Sequence, residues 1–574
     1  MKNISEQTKE RFAHLCDLYD GALSAMEDTI SLFEKYEKQY NGSDEIDGST
    51  TPSLTVRNIT YELIESSVNP DVPMPKADTV SYTEQRERNA RTIEHLCSAV
   101  RDTLPFERMN ALDERYTYVY GASVWYVEWD SEDASCGDVG GIKVHCLSPK
   151  EFIPQPGVCE IEDMEYCFLR FTTTKGELTR RFGANEDELN LAESEYEYDS
   201  GEGTSDTVAL TVAFWKDEDG EIGRTVFSGE LLLSDIAKYY SRKPSICPIC
   251  GGYADECDCT NAAGLTYEEI DSSALTFDTD TDKISVRYYT PRKFPIVVRK
   301  NVSGTPSLYG ISDCEMLRYH QQAINKIESR ILQKLLRSGI TPVMPEESSV
   351  TLNNAIFGQV IKMRPGESID QYGKIDTTPD ISSDMKEADR LYDQAKRLMG
   401  ISDALVGVDS VKSESGYAKQ LKILQSNGRL HSKRQLKYQA YSDLYRMIFE
   451  HFLAFADETR PLSYMDAFGH VMDSDFSKYS FIERYADGGE GYYDGYLFTV
   501  DLNSGAEYAR DELWRRNLAN LEAGTLGDKT SPVTLLRYWQ SQERAHYPYA
   551  KENVEYFKQL LIAQNKESEK KNEQ

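Results

Sequence analysis

No run in this 574-residue chain approaches the ~18 apolar residues of a membrane helix, which argues against a spanning segment. The N-terminus, MKNISEQTKERF, has no apolar h-region, so no secretory leader is expected. There is no Gly-x-x-x-x-Gly-Lys-Ser/Thr loop to cradle phosphates and no His-Glu-x-x-His pair to hold a catalytic zinc. Histidine is scarce, at eight, and no Ser or Cys sits in a recognisable nucleophile setting. These absences together lead us to expect a protein that is not an enzyme. Positive charge is also short: 64 Lys and Arg stand against 96 Asp and Glu, for a net charge of −32. That excludes a protein that coats nucleic acid through a basic surface, but not one that surrounds nucleic acid without gripping it.

What is present is globular. Hydrophobic residues make up 40% of the chain, too many for global disorder, and the length calls for two to four domains. The pattern is α+β. Helical spacing marks 1–40, 56–69 and 83–104, and a fourth, broken helical segment runs to 118. Residues 118–130 (YVYGASVWYVEWD) and 140–148 alternate as a hairpin-like pair of strands. A strand over 164–174, a short helix ended by Gly183, and a hairpin over 208–233 around Asp219-Gly220 follow. Between them, residues 185–206 carry nine acids and no base, the signature of a solvated loop. KISVRYYT and FPIVVRK are further strands.

The cleanest helix runs from 310 to 339. Gly310 breaks the chain before it, Ser312 or Asp313 can cap it, Glu315 suits its first turn, and Gly339 follows it. Leu317, Ile324, Ile327, Ile331 and Leu335 form one apolar stripe. Lys326, Arg330, Lys334 and Arg337 lie on the remainder. A compact section, 340–382, holds one clear strand, QVIKM. A second amphipathic helix returns over 383–400, closed by Gly400, and a Gly/Ser/Asp-rich loop spans 401–416. A third helix runs from 417 to about 457, with a break expected at Asn427-Gly428. From Lys412 to Arg446 eight basic residues, Lys412, Lys419 and Lys422 among them, face two acids, a local excess in so acidic a chain. A solvated helix face would also account for that excess. Three further helices are expected, over 505–522, from Ser531-Pro532 as N-cap and first position, and over 550–563.

Cys247, Cys250, Cys257 and Cys259 form a Cys-x-x-Cys-Gly knuckle followed by a Cys-x-Cys pair. Four thiolates suit tetrahedral zinc with no position left for water, which makes the expected metal structural rather than catalytic; unligated thiols are the alternative. Cys97, Cys146, Cys167 and Cys314 read as small apolar residues. Asp278, Asp280 and Asp282 imitate the start of a calcium loop. Lys283 then stands where such a loop needs Gly and Tyr289 where it needs Glu, so a solvated turn is the better reading.

Several stretches, in this order, resemble the portal proteins of tailed bacteriophages. They are RNITYELIESSVNPDVPMP, then DERYTYVYGASVWYVEWD with IKVHCLSPKEFIPQPG, then FPIVV and SLYGISDCEMLRYHQQAINKIESRILQKLLRSGITPVMP, and finally GISDALVGVDSVKSESGYAKQL. The cysteine cluster departs from that pattern. The resemblance implies a dodecameric ring at one capsid vertex. Residues 1–309 would be the wing, with 245–260 as an insertion. Residues 310–339 and 383–400 would be two stem helices, 340–382 the clip, 401–416 a tunnel loop, 417–505 a long helix returning to the wing, and 506–574 a crown and tail. It further implies double-stranded DNA passing through the channel and no membrane partner. Other implied partners are the terminase large subunit, a head-completion adaptor, and the major capsid and scaffold proteins. Lys326, Arg330, Lys334, Arg337, Lys412, Lys419 and Lys422 become candidates for the channel, where the stem cations would meet DNA or pair with acids on the next subunit.

The knuckle generates a direct expectation. Purified full-length protein should carry bound zinc by atomic spectroscopy, and Cys250→Ser combined with Cys259→Ser should release it; a metal-free wild-type protein would exclude the site.

Overall fold

The computed structural model describes residues 6–43, 57–130, 140–193, 207–240, 277–278, 283–284, 289–304, 307–336, 340–343, 368, 370, 373–376, 380–401, 416–456, 459–465, 471–484, 490–501, 507–544 and scattered positions from 547 to 561. It is a mixed helix-and-sheet protein. The N-terminal part contains α1 (Glu6–Asn41), α2 (Ile59–Glu65), β1 (Met74–Thr79), α3 (Glu84–Thr103) and α4 (Phe106–Tyr120). Asn58 caps α2 and Thr83 caps α3, each accepting from a backbone N–H of the first turn.

Gly121 decides where the first sheet begins. It ends α4 in the left-handed conformation at φ 91°, and β2 (Ala122–Asp130) starts at the next residue. The alternation read over 118–130 therefore spans two elements, because Tyr118 and Tyr120 belong to the last turn of α4. β2 is the central strand of a three-stranded antiparallel sheet, with β3 (Gly141–Leu147) on one side and β11 (Ile296–Lys300) on the other. Eight consecutive β2 residues are buried, so both of its faces are covered.

A second sheet is a five-stranded antiparallel meander of β4 (Phe152–Pro154), β5 (Tyr166–Thr174), β6 (Thr207–Lys216), β7 (Ile222–Ser228) and β8 (Leu231–Ile236). α5 (Lys175–Phe182) and α6 (Glu186–Leu189) lie in the β5–β6 connection. The hairpin read over 208–233 is thus two turns and three strands: Gly220 makes the first turn, and Gly229, also at positive φ, makes the second. α1 covers one face of the meander, packing Leu15, Tyr19 and Met26 on Ile153, Phe168 and Phe227. Leu210, Val212 and Phe214, on strand β6, point into the main core.

β9 (Phe277–Asp278) and β10 (Lys283–Ile284) pair antiparallel, with Asp278 opposite Lys283, while Asp280 and Asp282 lie outside the described residues. Then come α7 (Asp313–Leu336), β12 (Ile340–Val343), β13 (Gly373–Asp376), α8 (Ser382–Met399) and α9 (Gly416–Phe455). β12 pairs with β13, while QVIKM lies outside the described residues. α9 runs unbroken through Asn427-Gly428 for 40 residues. One interior glycine costs a helix only about 1 kcal/mol, which the burial of its C-terminal half outweighs. That half, including Tyr441, Leu444, Ile448, Phe452 and Leu453, sits inside the main core.

The chain closes with β14 (Arg460–Met465), β15 (Val471–Phe476), β16 (Ile482–Arg484), β17 (Glu490–Tyr492), β18 (Tyr496–Asp501), α10 (Glu507–Glu522) and α11 (Pro532–Arg544). β18 pairs antiparallel with β1, returning the chain to its N-terminal part. The segment that holds Pro70, Pro73 and Pro75 runs directly into β1. Pro75 is tolerated there because the ladder has only two strands.

Gly310, just before α7, crosses Gly121 at close range. Its N–H donates to Gly121 O at 3.1 Å, and a Cβ at 310 would stand 2.7 Å from that oxygen and 2.9 Å from Asn301 N. Gly310→Ala should therefore lower stability by about 2 kcal/mol in denaturant titration. Gly176→Ala, with nothing within 4 Å inside α5, should be neutral or stabilising. Equal effects at both positions would refute the crossing as the cause.

Candidate functional site

The start of α7 is fixed by its own sequence. Ser312 Oγ accepts from the N–H of Cys314 at 3.0 Å and of Glu315 at 3.4 Å, so Ser312 rather than Asp313 caps the helix. The apolar stripe packs α7 on α2 and α8, with Leu317 and Ile324 against Ile59, Leu63, Tyr392 and Met399. Ile331 remains buried, but Leu332 and Leu335 are exposed, so the stripe leaves the body before the helix ends. α8 stops at Gly400, at φ 74°, whose N–H donates to Arg397 O while Ile401 N–H donates to Lys396 O.

Beside the stripe runs a buried amide relay. Gln39 Nε2 donates to Thr60 Oγ1 and to Cys314 O, each at 3.0 Å. Thr60 N–H donates to Gln321 Oε1 at 3.0 Å, and Gln321 Nε2 donates to Asn325 Oδ1 at 2.7 Å and Arg57 O at 2.9 Å. Gln321 of α7 thus ties the helix to α2 and, through Thr60 and Gln39, to α1.

The channel candidates divide. Lys326 is exposed. Arg330 lies 3.9 Å from Asp384 of α8, and Lys334 donates to the same carboxylate. Lys419 and Lys422 fall within α9, while Arg337, Lys412, Cys247, Cys250, Cys257 and Cys259 lie outside the described residues. Among the described residues, no group of three or more His, Cys, Asp or Glu is placed to hold a metal ion. Cys97, Cys167 and Cys314 are fully buried, and burial pushes each thiol well above its usual range, as expected of apolar residues.

Two members of the basic run on α9 are neither solvated nor free to meet a ligand. Lys433 and Lys437 enter an interior ionic cluster with Asp113 and Glu114 of α4, Arg299 of β11 and Asp313 at the start of α7. Arg299 Nη1 bonds Asp113 and stands 2.8 Å from Glu114. Lys437 Nζ lies 3.2 Å from Glu114 and donates to Asp71 O at 2.9 Å. Lys433 Nζ reaches both oxygens of Asp313 at 2.7 Å, and Asn301 Nδ2 donates to Asp313 at 2.9 Å. Trp125 Nε1 donates to Asp113 at 3.0 Å and Asn69 N–H to Glu114 at 2.8 Å. Three cations thus meet three acids. Burial alone would raise Glu114, but Arg299 and Lys437 outweigh it and hold the carboxyl below its usual range; burial lowers Lys437. The sequence signal for this cluster was charge inside apolar runs, Arg299 in IVVRK above all.

No family model and no curated protein matches this chain. No described helix is long and apolar enough to cross a membrane. A cavity of about 330 Å³ between β11 and α9 is lined by, among others, Lys293, Arg446, Asp443 and Glu450. Burial pushes Glu450 up to about 7 despite Arg446 and Lys293. Its near balance of cations and acids selects no ion of one sign.

Lys437→Met should cost about 3 kcal/mol near neutral pH, because it leaves Glu114 short of a cation. Glu114 is held below 4.5, so its contribution is present above that pH and is lost as pH falls through its folded value. The deficit of the variant should therefore narrow on acidification in denaturant titrations. A deficit that does not change with pH would show that only packing had been lost.

Proposed function

We propose that this chain is the subunit of a tailed-phage portal: a ring at one capsid vertex through which double-stranded DNA is packaged and ejected. The observation that carries the reading is the helical pair. α7 leaves the body from a rigid, capped start and α8 returns to a glycine stop, with the β12–β13 ladder between them. That is the order of stem, clip and stem in the portal resemblance, and α9 then follows as its long helix. On this reading the fold is a portal fold, in which residues 1–309 supply the wing and 506–574 the crown and tail.

A second feature supports a ring. Leu332 and Leu335 on α7 and Met385 and Leu398 on α8 are 42–52% exposed, apolar area that a neighbouring copy would cover. A third concerns DNA. A conduit must not hold its cargo, and each phosphate neutralised by Lys or Arg adds affinity. Pairing Arg330 and Lys334 with Asp384 lowers the grip of the stem on a passing duplex. The role is structural rather than catalytic. Its partners would be the terminase large subunit during packaging, then a head-completion adaptor, within a shell of major capsid and scaffold proteins. Zinc at Cys247, Cys250, Cys257 and Cys259 would pin a wing insertion. The rival reading is another head–tail joining or minor head protein.

Electron-microscopy class averages of the purified full-length protein should show a closed ring with a channel wide enough for duplex DNA. Deleting 402–415, between α8 and α9, should leave the ring intact while impairing packaging. A stable monomer or a solid disc would overturn the portal reading.

A further inference from the structure

α7 packs against α8, and the C-terminal half of α9 lies in the main core. α7 packs chiefly on α1, α2, α4 and α8. Its charged link to α9 is the pair Asp313–Lys433, at the first residue of α7 and partway along α9. Asp313 is fully buried and Lys433 is 8% exposed. Behind Asp313 the backbone is rigid: Ser312 caps the helix, Asn301 holds the same carboxylate, and Gly310 is pressed on Gly121. Ahead of Lys433, α9 runs back as continuous helix to Gly416. Behind Lys433, the next turn is held by Lys437 on Glu114 and the turn after by Tyr441, whose hydroxyl donates to Asn110 at 3.0 Å.

We infer that the Asp313–Lys433 pair is a mechanical coupler, through which a displacement of the N-terminal half of α9 is passed to the start of α7. The physical reason is the cost of separating the pair. Separation of a buried ion pair is opposed at every distance, since its attraction falls only with the inverse of distance and either charge left alone in the interior is strongly destabilised. The two groups therefore move together, which is the behaviour a coupler needs. An apolar contact of the same area would slide instead, because dispersion has no preferred partner atom. The paired hydrogen bonds to both oxygens of Asp313 add an orientation that a point contact lacks. The inference does not depend on the portal reading and holds for a ring or a monomer alike.

The test perturbs one helix and reads the other in the full-length chain. Gly428→Pro disrupts α9 about one turn before Lys433 without touching the pair. Amide hydrogen exchange is then followed over residues 313–320 of α7. With the native pair, Gly428→Pro should speed exchange there by about tenfold relative to Gly428→Ala, while β2 amides stay unchanged. With Lys433→Met and Asp313→Asn combined, the same proline should change exchange over 313–320 by less than about twofold. No effect of the proline on α7 with the native pair would overturn the coupler, and that arm does not require the paired variant to fold. An equal effect with and without the pair would overturn it too, by showing that displacement reaches α7 through packing.

Discussion

The arrangement of the core depends on one constraint: three cations and three carboxylates are interior, and each must find its counterpart. Arg299 enters from β11, Asp113 and Glu114 from α4, Lys433 and Lys437 from α9, and Asp313 from the start of α7. An unpaired charge in such a place would cost several kcal/mol. The elements are therefore confined to one relative placement, whatever latitude their apolar contacts leave. Hydrophobic burial supplies most of the stability, but Leu and Phe tolerate many near-equivalent packings. Trp125 and Ser123 on Asp113, and Asn69 on Glu114, extend the same constraint into β2 and the turn after α2.

Sequence reading recovered the helical pair because its signals are local. A glycine break, a serine cap, a periodic stripe and a glycine stop all lie within the segment they define, and α7 and α8 fall within a few residues of the expected limits. The stripe departs from burial only at its end, where Leu335 keeps the helical spacing but is 48% exposed. Spacing tells which face a residue occupies, not whether anything covers it.

The misses have the opposite character. β14 to β18 gave no reading, because they are short, polar at their edges and paired two at a time. β18 gains its stability from β1, almost the whole chain away, and from Phe449 and Phe481 against its own Tyr496. The ionic cluster was hidden for the same reason. Lys433 and Lys437 belong to a basic run that composition assigns to solvent or to nucleic acid, and nothing nearby in sequence announces that Asp313 and Glu114 await them. Only Arg299 was exposed to inference, since a charge in a strand buried on both faces must be paired.

The two halves of α9 follow from this division. Its C-terminal half carries apolar and aromatic residues into the core, with Asp443, Arg446 and Glu450 on the side that lines the cavity. Lys433 and Lys437 stand at the boundary, where the surroundings change from aromatic packing to charge. Were they apolar, the helix could advance or retreat by a turn at little cost, since the repeating Tyr and Phe side chains resemble one another in volume. A cation four residues before a second, each matched to a different carboxylate on a different element, removes that freedom. Shifting α9 by one turn so that Lys437 took the place of Lys433 would carry Tyr441 to the Glu114 site and leave that carboxylate without its lysine. The register of the longest helix is thus set by charge, although its burial is driven by apolar area.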